Sequence, residues 1–399
     1  MVVSFLNDVF IFLQFAVGYN LVLPFVLFLV YVIVRPRGAH DSTGRRKDYD
    51  YAIIVTAYEQ TDSLPPVIDS ILKLNYSNYL VYIVADKCDV SSLHFNDDRV
   101  IVLRPPETLA SNTRSHFYAI SHFVRPHELL TIIDSDNLVA PEYLNELNRF
   151  FDSGFRAVQG VRMAKNLDTT YACLDAARDM YYHFYDGAVL FSLGSSATLA
   201  GSGMAFKTKL YRECLEHLDV TGAGFDKVLQ REIVARGYRI AFAGKAQVYD
   251  EKTSASDQLV KQRARWINTW FRYFRFGFSL MRDGLLSMNL NQFLFGLILV
   301  RPPLFIFLIL SVLFTVANIW INAVAVSLWL AGFAIFVIGF AVALVNAKPD
   351  KIIYRSLWGI PKFIFYQVLS LLKIRRANEI SIATRHTYTQ GIDKIKNKS

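Results

Sequence analysis

Apolar positions follow two different patterns along the chain. From Leu6 to Val34 they form a nearly unbroken run, with Asp8 and Gln14 near its outer part. About 20 apolar residues cross a bilayer, so the run predicts a membrane-spanning helix within residues 1–34. A cleaved signal peptide is the competing reading. The run is long, lacks a basic n-region and has no small-x-small cleavage site before Arg35, which favours a retained anchor. Two more spans are expected near the other end. One is Leu290–Thr315, interrupted by Arg301-Pro302-Pro303; the other is Val316–Val345, with ANIWIN as its turn. A fourth stretch, Leu357–Leu372, is shorter and carries Lys362 and Gln367.

Between Tyr51 and about Gly277 the pattern changes. Short apolar runs stand at YAIIVTAY (51–58), LVYIVADK (80–87), RVIVL (99–103) and LLTIIDSD (129–136). Such runs predict parallel strands buried on both faces. Helical spacing separates them. Asp62, Ser63 and Pro65-Pro66 open one helix, with Val67, Ile68, Ile71 and Leu72 on a face, and Leu109–Val124 is another candidate. Strands alternating with helices argue a doubly wound α/β sheet.

Composition agrees with this division. The chain of 399 residues is 53% hydrophobic and 19% charged, with mean hydropathy +0.27. That is too apolar for a purely water-soluble protein and too polar for one lying wholly in lipid. The net charge of +9 gathers at the flanks of the apolar runs. Arg35, Arg37, Arg45, Arg46 and Lys47 follow the first, and KIRR and KIKNK lie in the tail. Basic flanks mark the cytoplasmic side and attract anionic lipid, so no nucleic-acid partner is needed. Three crossings would place the middle region and tail on one cytoplasmic side. Leu357–Leu372 then reads as an interfacial helix. Cys88, Cys173 and Cys214 form no CxxC pair and suit reduced thiols. The expected organisation is an N-terminal span (1–34), a basic linker (35–50), an α/β domain (51–257), an amphipathic interfacial segment (258–284), two spans (285–346), and an interfacial helix with a basic tail (347–399).

Ligands of open α/β sheets gather at the carboxyl ends of the strands. Asp86 closes IVAD, and Asp134 and Asp136 close TIIDSD. Two aspartates one residue apart can reach one metal ion, and hard oxygen donors suit magnesium or manganese. A solvated turn is the bland alternative. Asp48 and Asp50 repeat the spacing but precede the first strand, at the wrong edge of the sheet. Residues 262–266, QRARW, then lead into INTWFRYFRFGF. Arg263 and Arg265 could anchor a surface helix in lipid, with Arg265, Arg272 and Arg275 on one face and Trp266, Trp270 and Tyr273 on another. A site role and a lipid role can hold together, the start of the helix facing the site and its continuation lying on the bilayer, where Trp270 mainly serves membrane attachment.

The order of these signals adds to the picture. IVAD and DSD are followed by GSGMAF (201–206), GFDKVLQREIVARGYRI (224–240) and QRARW ahead of the spans. This order resembles membrane-integrated family 2 glycosyltransferases, the group of cellulose, chitin and hyaluronan synthases. The resemblance covers about residues 50–280 and implies an α/β GT-A (Rossmann-like) cytoplasmic domain with transmembrane and interfacial helices. It implies that Asp86 contacts the uridine of a UDP-sugar donor and that Asp134 and Asp136 hold a divalent cation, manganese or magnesium, on the diphosphate. Asp226 would be the general base. Gln262, Arg265 and Trp266 would be the QxxRW, near the diphosphate and the acceptor sugar. Phe225 stands where the family has an acid, and TAYEQ departs from the usual first-strand turn. Asp226 could instead cap its helix. YYHFY (181–185) reads as packing, with no chemistry assigned to His183.

The expected activity is metal-dependent, inverting transfer from a UDP-sugar to a growing polysaccharide through a β-linkage, at the cytoplasmic face of the plasma (inner) membrane. The expected partners are the donor, a carbohydrate or glycolipid acceptor and the bilayer, with a second copy of the chain as a further candidate. Single addition to a lipid, as in ceramide glucosyltransferases, is the nearest alternative. A non-catalytic nucleotide-sugar sensor is a second, and it would not need Asp226. A transporter is disfavoured by the large α/β region.

Overall fold

The computed structural model describes residues 2–34, 47–371 and 391–393. Arg35, Arg37, Arg45, Arg46 and the basic segments of the tail therefore lie outside the described residues. Lys47 is described, and its ammonium pairs with Glu128 at 2.6 Å.

Among the described residues eight strands form one sheet: β1 (Tyr51–Tyr58), β2 (Tyr79–Asp86), β3 (Val100–Leu103), β4 (Leu129–Asp134), β5 (Leu138–Val139), β6 (Ala157–Ala164), β7 (Met204–Lys207) and β8 (Ile240–Asp250). Their order across the sheet is β3-β2-β1-β4-β7-β6-β8-β5. The four apolar runs seen in the sequence are β1 to β4, and they pair in parallel. Alternate residues feed two cores. Ile53, Val55, Val81 and Ile83 point into one, and Ala52, Ile54, Tyr82 and Val84 into the other. Burial on both faces accounts for runs without polar alternation.

The sheet departs from a doubly wound parallel one at β7. This short strand runs antiparallel to both β4 and β6, and β5 runs antiparallel to β8. Gly203 permits the tight entry to β7. Its φ is +66°, and a Cβ there would meet Val248 at 2.7 Å, so only glycine lets the chain pass.

Among the described residues three helices are long and apolar enough to cross a membrane: Ser4–Val34, Leu304–Ile321 and Ala323–Ala347. Two boundaries differ from the expected spans. Leu290–Val300 is a separate helix, because Pro302 and Pro303 cannot donate backbone hydrogen bonds and their rings crowd the preceding turn. It packs against Arg275–Leu286 at such close range that a Cβ on Gly277 would lie 2.5 Å from the Gly296 carbonyl oxygen. The expected ANIWIN turn is mostly helical and continues to Ile321. Asn322 alone makes the turn, its side chain accepting from the N–H groups of Val324 and Ala325 at 3.0 and 3.2 Å, as an N-cap does. Gln14 ties the three helices together, accepting from Asn318 Nδ2 at 2.6 Å and Trp329 Nε1 at 3.0 Å.

The stretch after the last long helix forms Lys351–Ser356 and Ile360–Leu371. The latter lies beside the helix Ser256–Tyr273 and shares a buried cluster with it through Phe363 and Leu259.

Candidate active site

The parallel strands deliver their carboxyl ends to one place. In register, Tyr58 stands beside Asp86 and Thr56 beside Asp134. A cavity of about 690 Å³ opens there, and Asp86, Asp134, Asp136, Asp226, Gln262, Arg265 and Trp266 all line it. These residues span 180 positions of sequence, so the fold has brought together the whole set singled out above.

Asp86 is buried, and its carboxylate accepts from the N–H groups of Leu109 and Ala110 at 3.0 and 2.8 Å. It therefore shapes the loop after β3 as well as the cavity wall. At the end of β4, Ser202 Oγ accepts from the Asp134 N–H at 3.1 Å and from Asn137 Nδ2 at 2.7 Å. The serine of GSGMAF thus fixes the turn carrying both aspartates. The backbone carbonyl of Asp136 accepts from Lys165 Nζ at 2.9 Å. Burial pulls the Lys165 ammonium below its ordinary value, and Asp136 opposes that pull.

Asp226 lies in the first turn of the helix Phe225–Ala235. It does not cap that helix. Gly224 holds the cap position with φ +103°, and a Cβ there would meet Thr269 and Tyr273 at 2.6 Å. The Asp226 carboxylate instead pairs with Lys227 Nζ at 3.0 Å, and that ammonium also donates to the Leu199 carbonyl at 3.1 Å. The helix N-terminus adds a field that favours negative charge.

QRARW opens inward, contrary to the lipid-anchor alternative. Gln262 Oε1 accepts from Thr253 Oγ1 at 3.1 Å. Arg263 is buried and pairs with Asp175. Arg265 faces the cavity near Asp134; burial lowers its proton affinity and Asp134 restores part of it. The ring of Trp266 has the guanidinium carbons of Arg263 and Arg178 at 4.1 and 4.5 Å from its centroid, a cation–π arrangement. Trp270 also lines the cavity, and Arg272 Nη1 donates to the Thr221 carbonyl at 3.2 Å. The Asp48–Asp50 repeat lies away from the site, with Asp50 held by Arg125 and His127 at 2.9 and 2.8 Å.

One part of the site escaped the sequence reading. Beneath the aspartates lies a buried ionic cluster of Arg162, Asp175, Arg178, Asp179, Asp250, Lys252 and Arg263. Burial alone would raise the Asp179 carboxyl, but Lys252, Arg178 and Arg162 together hold it well below the usual carboxylate range. His183 beside this cluster is pushed down to about 4 by burial, so it is neutral near pH 7. Asp175, Arg178 and Asp179 are spaced i, i+3, i+4 along one face of the helix Thr170–Tyr182, whose other side buries Cys173, Ala176 and Ala177 against Leu344 and Ile353. A stripe of charges on a helix buried on its other side was the available signal.

Among the described residues no group of three or more His, Cys, Asp or Glu could hold a metal ion. Two carboxylates nevertheless fit magnesium or manganese, which keep several waters and bind through one or two carboxylates plus substrate phosphates. Arg265 and Arg162 are both electrostatically coupled to Asp134, so the same corner also suits phosphate oxygens.

The family model for glycosyltransferase like family 2 matches residues 49–269. The chain belongs to this glycosyltransferase family. The sheet of the glycosyltransferase, curled and mixed, is of the GT-A type. Among solved structures it is similar to the mannosyltransferase PcManGT from Pyrobaculum calidifontis in complex with GDP-Man and Mn2+, with 17% identity and a TM-score of 0.58 over 92% of this chain and 98% of that one. S. aureus TarS 1-349 is more distant, with 13% identity and a TM-score of 0.40 over 82% and 92% of the two chains. No curated protein sequence matches the glycosyltransferase.

Proposed function

We propose that the protein is a membrane-integrated, inverting glycosyltransferase that uses a UDP-sugar and a divalent cation. The observation that supports this best is the convergence of Asp86, Asp134, Asp136, Asp226 and Arg265 on one cavity at the strand ends. Asp86 would contact the nucleoside. Asp134 and Asp136 would hold manganese or magnesium, which would neutralise charge on the departing diphosphate. Arg265 offers a planar fork of donors to the phosphate oxygens, and Gln262 stands one turn before it.

Asp226 would act on the other reactant. An acceptor hydroxyl attacks the anomeric carbon while the bond from that carbon to the diphosphate oxygen breaks and its electron pair leaves with the diphosphate. The Asp226 carboxylate takes the hydroxyl proton as the new glycosidic bond forms. Attack opposite the leaving group converts an α-linked donor into a β-linked product. Lys227 holds the carboxylate in place before the acceptor arrives. Trp266 and the helical turn beyond it form the acceptor side of the cavity.

The three long apolar helices support an integral membrane protein, the basic flanks of the apolar runs support an active site at the cytoplasmic face of the plasma (inner) membrane, and a growing polysaccharide is the first acceptor reading. With so few spans, threading a polymer would call for a second copy of the chain. A second reading, one addition to a lipid acceptor, is favoured by the apolar side of the cavity. Phe274, Ile298, Leu299, Leu304 and Phe305 line it, the last two at the start of a long apolar helix.

The test is incubation of the purified full-length chain with a panel of UDP- and GDP-sugars and manganese or magnesium, with nucleoside diphosphate release as the readout. One donor is expected to turn over, with activity lost in chelator and regained with metal. Full activity in excess chelator would refute the cation's role, and no release from any donor would refute the function.

A further inference from the structure

Two tryptophans of the site helix Ser256–Tyr273 line the cavity, and their surroundings differ. Trp266 has guanidinium groups over its ring, tied through Asp175 to the buried ionic cluster. Its π surface is already engaged by cations. Trp270 stacks on Phe274, with ring centroids 5.0 Å apart and planes at 27°, and its Nε1 is buried with no hydrogen-bond partner. A buried indole N–H normally has a partner, and leaving it unpaired costs about 1–3 kcal/mol.

The position of Trp270 relative to the base gives this unpaired donor a meaning. Its helix neighbours Thr269 and Tyr273 stand where a Cβ on Gly224 would collide, so they pack against the turn that presents Asp226. Trp270 lies one helical turn beyond Trp266 and therefore on the same face. Phe274, on which it stacks, lines the same cavity as Asp226, Leu304 and Phe305. An acceptor with one hydroxyl at Asp226 would occupy a cavity whose wall includes this indole.

We propose that Trp270 is the residue that positions the acceptor, its indole N–H donating to an acceptor oxygen and its ring packing on the acceptor's C–H surface. Trp266 then serves the site by holding Arg178 and Arg263. The acceptor class is a hydroxylated group with an adjoining apolar face, such as a pyranose. This assignment rests on the transferase reading above, moves the acceptor contact expected of Trp266 one helical turn on to Trp270, and reverses the membrane-attachment role expected for Trp270 from sequence.

The experiment replaces the gene at its native locus and uses membrane vesicles from those cells, so the natural acceptors are present. Labelled donor is supplied, and label transferred to acceptor is divided by label released as free sugar. Trp270→Phe keeps a ring and removes only the N–H. It is expected to lower that ratio about 5- to 10-fold, the equivalent of losing one hydrogen bond, and Trp270→Ala to lower it further. Trp266→Phe, which keeps a face for the guanidiniums, is expected to change the ratio less than Trp270→Phe. Each variant is checked for membrane insertion. An unchanged ratio in both Trp270 variants, or a larger fall in Trp266→Phe, overturns the assignment while leaving the transferase intact. Wild-type vesicles that neither transfer nor release label overturn both.

Discussion

Arg263 and Arg265 stand two positions apart on one helix, and the structure gives them different tasks. Arg263 is buried against Asp175, whereas Arg265 lines the cavity beside Asp134. A role for Arg265 at the diphosphate makes its geometry matter as well as its charge. Arg265→Lys keeps the positive charge and loses the fork that can grip two oxygens. A charged hydrogen bond is worth about 1.5–3 kcal/mol, so the expected loss of turnover is about 10- to 100-fold. Arg272→Lys is expected to cost less than threefold, because Arg272 is exposed and makes a single bond to the Thr221 carbonyl. The two variants are compared by nucleoside diphosphate release; equal behaviour would remove Arg265 from the site. At this scale, motif residues were legible in sequence because each combines a chemistry-bearing type with a strand end or fixed spacing. Asp179, Asp250 and Lys252 have no such mark. Their importance comes from mutual contacts across more than 70 positions, which no local pattern encodes.

Elements were legible where one periodicity ruled. The runs of β1, β2 and β4 stand out because both of their faces are buried. β7 did not, since four residues are too few to show a period and its antiparallel direction is set by Gly203 and its neighbours. Leu290–Thr315 reads as one apolar span because hydropathy does not register the missing donors of Pro302 and Pro303. The break has a structural consequence. It places Arg301 against Asp186, in a π-helical segment (His183–Val189) that follows the helix Thr170–Tyr182. Both side chains are buried. Removing one partner of such a pair costs about 3–5 kcal/mol, while replacing both with apolar groups is far milder. Arg301→Met is therefore expected to lower the thermal midpoint in detergent more than Arg301→Met combined with Asp186→Leu. If the double variant is at least as unstable as the single one, the pair does not join the two segments as described.

For the whole molecule, the central feature is one cavity shared by a GT-A domain and the beginning of an apolar helix. The sheet supplies the aspartates, the helix Phe225–Ala235 supplies Asp226, and Ser256–Tyr273 lays arginine and tryptophan along the wall. Leu304 and Phe305 add apolar surface to the cavity lining. Tyr185 joins the two regions directly, its hydroxyl donating to the Gly339 carbonyl at 2.8 Å. The sequence revealed the two-part design through hydropathy alone, but the shared cavity required the tertiary structure, since its lining runs from Thr56 to Gln367. The account stands on Asp226 taking a proton there. The most direct test is Asp226→Asn, which keeps size and hydrogen bonding but cannot accept the proton. With donor binding measured by titration and transfer measured in the same preparation, binding is expected to persist while transfer falls about 100-fold or more, as when a general base is removed. Normal turnover by Asp226→Asn would contradict the account.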